Sequence, residues 1–161
     1  MNSTQLQAFI DQWHQIFEQN DPGLIVPLFD DDIEFCSPAI FAPKHGKTEV
    51  FELLSVVFDV FEGYRVTDTW VKDNEVMFEF EVRVGDYTLQ GIDRFKLNDG
   101  GKVVQMKVWI RPLTGLKALA RAVMKRGFES HLANQNAIKK TAYRVQARAI
   151  RLKKALEEGL K

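Results

Sequence analysis

Residues 89–97 read LQGIDRFKL, and with a period of two Leu89, Gly91, Asp93, Phe95 and Leu97 fall on one face. Asp93 is the one carboxyl in that apolar row. Burying it as a bare charge is costly, so it must be paired, hydrogen-bonded or shifted in pKa. Two readings follow. The structural one is a bridge to a core tyrosine, tryptophan or arginine. The functional one is a general acid/base or an oxyanion donor in a pocket.

The other reactive residue types are sparse. His14 lies beside Trp13 but off the main apolar stripe, which predicts a surface or rim position. His45 sits in a loop that could border a pocket mouth, and His131 lies in the basic C-terminal part. No pair has metal-ligand spacing, and the single cysteine, Cys36, cannot build a zinc site or an internal disulfide. No metal site is expected. No nucleophilic serine motif of the GxSxG type is present.

The stretch PKHGKTEVF, residues 43–51, looks at first like a phosphate loop. That loop needs GxxxxGK[ST], so that backbone N–H groups wrap the phosphates. Phe41 stands where the first glycine belongs, and Pro43, between it and Gly46, has no N–H to offer. The stretch instead reads as a turn at Gly46 into a helix beginning near Lys47-Thr48-Glu49.

These residues need a scaffold. Ser3 or Thr4 can cap a first helix, in which Leu6, Phe9, Ile10, Trp13, Ile16 and Phe17 recur at helical spacing. Asn20-Asp21-Pro22-Gly23 ends it. A short helix from about Leu24 to Phe29, a turn at Asp30-Asp31-Asp32 and a short strand over Ile33–Cys36 are expected next. Helical period returns from Thr48 to about Phe61, and Gly63 stops it. Four strand-like runs follow, about Tyr64–Lys72, Glu75–Val84, Tyr87–Leu97 and Lys102–Ile110, separated by hairpin punctuation. In the second, Val76, Phe78, Phe80, Val82 and Val84 alternate with Glu75, Glu79, Glu81 and Arg83. Helices followed by an antiparallel meander define an α+β class. Pro112 ends the last strand. A helix over Leu113 to about Arg126 is expected, broken at Gly127.

The 161 residues suit one domain with an ordinary core, residues 1–126, and a helical extension, residues 127–161. In the extension Ile138, Ala142, Val145, Ala149, Leu152 and Leu156 form an apolar seam among basic residues. The net charge is zero but uneven: residues 1–116 hold 10 basic and 19 acidic side chains, and residues 117–161 hold 12 and 3. This predicts either a partner surface or a solvated amphipathic helix docked by its seam. Only Tyr143 could stack on bases there, so nucleic-acid binding is weakly signalled, and so is an anionic membrane. No apolar run approaches the roughly 18 residues that span a bilayer. The N-terminus lacks the pattern of a secretory signal, and a lone thiol fits a reducing compartment, so a cytoplasmic location is expected.

The order of these elements, with IVPLFDDDIEF, HGKTEVFELL, GIDRFKLNDGGKVVQMKVWIRP and LTGLKALARAV, resembles the nuclear transport factor 2-like superfamily over about residues 4–125. Its SnoaL-like branch includes polyketide cyclases and ketosteroid isomerases. The resemblance implies a curved sheet wrapped around a long helix, a cone with an apolar pocket at its open end, and a homodimer through the sheet's outer face. It places Asp93 at the acid of the isomerases' oxyanion hole and at the cyclases' catalytic aspartate. The isomerase base falls at Ser37, a poor base, and its helical tyrosine at Trp13, which offers an N–H but no hydroxyl. The function implied is binding of a small apolar molecule, with cofactor-free isomerase, cyclase or dehydratase chemistry through Asp93. The alternative is a non-catalytic binding or interaction domain. Trp13, Phe17, Ser37, His45, Phe58, Met106 and Ile110 are the expected substrate contacts.

Overall fold

The apolar stripe of the first helix sets the layer order. In the computed structural model, which describes residues 3–129, α1 spans Ser3–Glu18 and buries Phe9, Trp13 and Ile16. Asn20 ends it in the left-handed region, at φ 51°, while the Asp21 N–H bonds back to the Ile16 carbonyl. The next segment, Pro22–Leu28, is a 3-10 helix rather than the short α-helix expected. Pro27 within it has no N–H to give, which favours the shorter-range turn. The Asp21 carboxylate caps it by accepting from the Gly23 N–H at 2.8 Å.

The three consecutive aspartates are strand, not turn: β1 runs Phe29–Cys36. Its pairing with β6 (Val103–Arg111) advances five residues, from Phe29 to Glu34, while β6 advances only from Val103 to Gln105. The aspartates occupy that irregularity. Asn98 Nδ2 donates to Asp30 at 2.9 Å and holds the excursion against the neighbouring hairpin.

Strand β2, Lys44–His45, pairs with β1, and Gly46 then turns into α2, Lys47–Val60. Gly46 adopts φ 86°, where a side chain would be strained, and its N–H bonds to the Ile33 carbonyl. The glycine of HGK is therefore a hinge between strand and helix. α2 closes at Val60, and Gly63, expected to stop it, lies in the following strand.

Strands β3 (Glu62–Lys72), β4 (Glu75–Val84), β5 (Tyr87–Leu97) and β6 form the antiparallel meander. β1 joins it parallel to β6, so the six-stranded sheet has the order β2-β1-β6-β5-β4-β3. It is curved and unclosed. The alternating residues of β4 and β5 all point inward: Val76, Phe78, Phe80, Val82 and Val84 are buried, as are Leu89, Asp93, Phe95 and Leu97. The rings of Phe9 and Trp13 on α1 meet Phe78 and Phe95 of the sheet.

Among the described residues, one compact unit runs to Met124 and a second begins at Lys125. The first ends in a helix, α3, that starts at residue 113; residues 125–129 of the second are also helical. Gly127 therefore does not break the helix, since a single glycine only weakens one. The expectations for His131 and the seam of residues 138–156 lie outside the described residues. No described helix is long and apolar enough to cross a membrane.

Candidate functional site: a buried carboxyl in an apolar cavity

Asp93 is 4% exposed and is the one buried charged side chain among the described residues. Its neighbours in the sheet are apolar: Phe78 on β4 and Val108 on β6 stand opposite it. Tyr64, near the start of β3, donates its hydroxyl to Asp93 Oδ2 at 3.1 Å. Trp13 Nε1 donates to that same hydroxyl at 3.4 Å. An indole, a phenol and a carboxyl from α1, β3 and β5 thus form one chain of hydrogen bonds.

Burial raises the Asp93 pKa to about 7, although the Tyr64 hydrogen bond pulls the other way. The Tyr64 phenol is held well above its ordinary value, first by burial and then by the nearby Asp93 charge. Tyr64 therefore stays a donor across the physiological range, and Asp93 titrates within it.

Both residues line a cavity of about 290 Å³, close to the lower end of small-molecule pockets. Trp13 and Phe17 of α1 form one side of it. Leu54, Val57 and Phe58 of α2 form another, and Met106, Val108 and Ile110 of β6 a third. Ser37 and Ile40, just beyond β1, border it. Leu119, Ala120, Val123 and Met124 of α3 complete it. Tyr64 and Asp93 are the ionisable side chains on this wall.

Of the eight residues expected at the site, the structure brings Asp93, Trp13, Phe17, Ser37, Phe58, Met106 and Ile110 around the cavity. His45 is a correction. It is exposed on β2, opposite Glu34, and does not line the cavity. Directly opposed residues share a face, and Glu34 points to Gln105 outside the apolar interior, accepting its amide at 2.7 Å.

His14 is half-buried, with its ring 5.7 Å from Phe78. It borders an outer groove with Phe17, Glu18 and Tyr64, separate from the main cavity. Cys36 is also off the wall, and burial first, then Glu34, holds its thiol above the ordinary pKa, so it is a poor nucleophile. Among the described residues no cluster of three His, Cys, Asp or Glu could hold a metal ion.

Two contributions escaped the sequence. Tyr64 carried a faint signal: period two puts Tyr64 and Val66 on one face of the first strand-like run, but nothing local pairs it with Asp93. The α3 wall was legible as helical spacing, Leu119 with Val123 and Ala120 with Met124, but not as part of a site.

A six-stranded curved sheet over a helix, with a carboxyl facing an apolar interior, defines a cone-type α+β domain. The chain belongs to the SnoaL-like family, within the nuclear transport factor 2-like superfamily: the SnoaL-like domain model matches residues 10–106. The crystal structure of a steroid delta-isomerase from Pseudomonas aeruginosa is 30% identical, with a TM-score of 0.76, covering 83% of this chain and 97% of that one. A conserved bacterial protein with a cystatin-like fold from Silicibacter pomeroyi is 27% identical, with a TM-score of 0.69, covering 73% and 84%. A protein with a ketosteroid isomerase-like fold from Catenulispora acidiphila, in complex with trimethylamine, shares the fold at 13% identity, with a TM-score of 0.55 over 70% and 91%. No curated protein matches the sequence.

Proposed function

We propose that this chain binds a small, largely apolar, carbonyl-bearing molecule in the cavity and moves a proton on it through Asp93. One observation carries the reading: a buried carboxyl with a pKa of about 7 stands on a largely apolar wall. Near neutrality both of its forms are populated, which suits a general acid/base. Ionised, it accepts the acidic proton from the carbon beside the carbonyl, leaving an enolate; now protonated, it returns that proton to another carbon of the conjugated system and is again a carboxylate. Ser37 lies on the wall but is no base, so both halves of a proton shift fall to Asp93. Tyr64 fixes the carboxyl and Trp13 fixes Tyr64. The similar Pseudomonas protein is named a steroid delta-isomerase, which supports isomerisation as the reaction class. Such a shift requires only acid–base chemistry.

The test is turnover of ketosteroids and polyketide-like ketones by wild type and Asp93→Asn. A loss of about a hundredfold or more is expected, in the usual range for removing a general acid/base. Turnover that survives undiminished overturns the role of Asp93. The second reading, binding without chemistry, is favoured by the lack of a second carboxyl or a histidine on the wall. Tight binding of such ketones by wild type, with no turnover of any, selects it.

The expected homodimer would use the outer sheet face, where Trp70 and Trp109 are 41% and 50% exposed. Sedimentation equilibrium decides it, and a monomer at all concentrations rejects it.

A further inference from the structure

Helix α3 closes the cavity, and one of its residues has a physical reason to be glycine. Gly115 is buried in the first turn of α3. A Cβ built on it would lie 2.8 Å from Leu89 Cγ and 3.2 Å from Leu89 Cδ1. At 2.8 Å something must shift, and Leu89 is itself fully buried on β5, where interiors are close-packed. Alanine is the better helix former, so glycine here serves contact rather than helicity. The helix backbone lies directly on the sheet at this point. One turn on, Leu119 is buried in the same cluster as Leu89 and Phe80. Beyond it Ala120, Val123 and Met124 face the cavity, while Met124 is 75% exposed.

We propose that Gly115 is a positioning residue for Asp93: by letting α3 lie on Leu89, it seats the helix as the wall that keeps water from the carboxyl. The groups that face Asp93 leave burial as the main lever. Tyr64 of β3 is the titratable one, Trp13 of α1 adds an N–H, and Phe78 of β4 and Val108 of β6 are apolar. The α2 and α3 residues on the wall carry no charge. A helix lifted at its first turn tilts Leu119, Ala120 and Val123 outward and admits solvent.

The inference rests on the proposed ligand site only in its binding arm; the titration arm needs no ligand. The full chain is compared with Gly115→Ala, Leu89→Ala and the double variant. The Asp93 side-chain carbon is followed by NMR against pH, and binding of the neutral fluorophore N-phenyl-1-naphthylamine is measured. In Gly115→Ala the Asp93 midpoint should fall by about one pH unit and dye affinity by about tenfold, in a chain that still melts cooperatively. With Leu89 already alanine, adding Gly115→Ala should change neither, because the obstructing atoms are gone. An unchanged midpoint in a folded Gly115→Ala overturns the proposal, as does an equal loss in the Leu89→Ala background. If Gly115→Ala fails to fold, Leu119→Ala thins the same wall without touching the seat, and an unchanged midpoint there overturns it too. Dye that binds none of the forms, wild type included, counts against the ligand site while the titration still decides the role of α3.

Discussion

Tyr64 and Asp93 meet across 3.1 Å, the phenol donating to a carboxyl oxygen inside an apolar cavity. The two residues are 29 positions apart in sequence, on strands with β4 between them. The pair gives the cavity its polar end, and it sets the first expectation.

Tyr64→Phe keeps the ring that stacks on Phe17 at a centroid distance of 3.7 Å and removes only the hydroxyl. The hydrogen bond lowers the Asp93 pKa against the effect of burial, so its loss should carry the midpoint above the present value of about 7. The Trp13 N–H also loses its acceptor, which costs about 1–3 kcal/mol for a buried donor. NMR titration and urea denaturation measure the two effects; a midpoint that falls contradicts the assigned hydrogen bond.

Stability should fall as pH rises from about 4 to about 7. The folded pKa of Asp93 is raised above the ordinary 3.8, so between these values the folded state holds a proton that the unfolded state has released. The stability is fully present below the unfolded pKa, and the loss levels off above the folded one at roughly 4 kcal/mol. Asp93→Asn removes the slope, so it should be more stable than wild type at pH 8 and nearly equal to it at pH 4. Equal denaturation curves at pH 8 would show that the carboxyl is not buried as described.

Gly91→Ala should destabilise the domain by about 1–3 kcal/mol, the usual range for forcing extra atoms into a packed interior. Its Cβ would sit 2.6 Å from the Trp109 carbonyl oxygen and also strike the Phe80 ring. Thermal melting measures the loss, and an unaltered midpoint would mean that β5 and β6 can part at this point without cost.

Lys47→Ala should change neither melting nor nucleotide binding. Lys47 bridges Asp31 at 2.6 Å, and the Asp31 side chain is 90% exposed, a setting in which ion pairs contribute little. Equilibrium dialysis with ATP should show no uptake by either form; uptake abolished by the substitution would revive the phosphate-loop reading.

What was legible in the sequence was local. The alternation in β4 and β5 specified which face is buried, and with it the position of Asp93. Phe9, Trp13 and Ile16 specified the buried stripe of α1. What was hidden depended on partners distant in the chain. The aspartates 30–32 have turn composition, yet the pairing of β1 with β6 makes them strand. His45 stood beside a recognisable turn, and only its register against Glu34 shows that it faces away. Tyr64 belongs to a strand whose register shifts between Glu62 and Arg65, so counting by two from either end does not locate it reliably. The wall supplied by α3 required knowing where the helix lands, which Gly115 and Leu89 decide together.

The parallel pairing of β1 with β6 has a consequence for synthesis. Phe35 pairs beside Met106, so the first strand emerges from the ribosome about seventy residues before its neighbour exists. Domains fold as units during translation, and pairings this distant are slow to form. Until then α1 and β1 present Phe9, Trp13, Ile33 and Phe35 to water. The sheet therefore cannot be completed until β6 has been made, and the cavity wall waits further for residues 113–124.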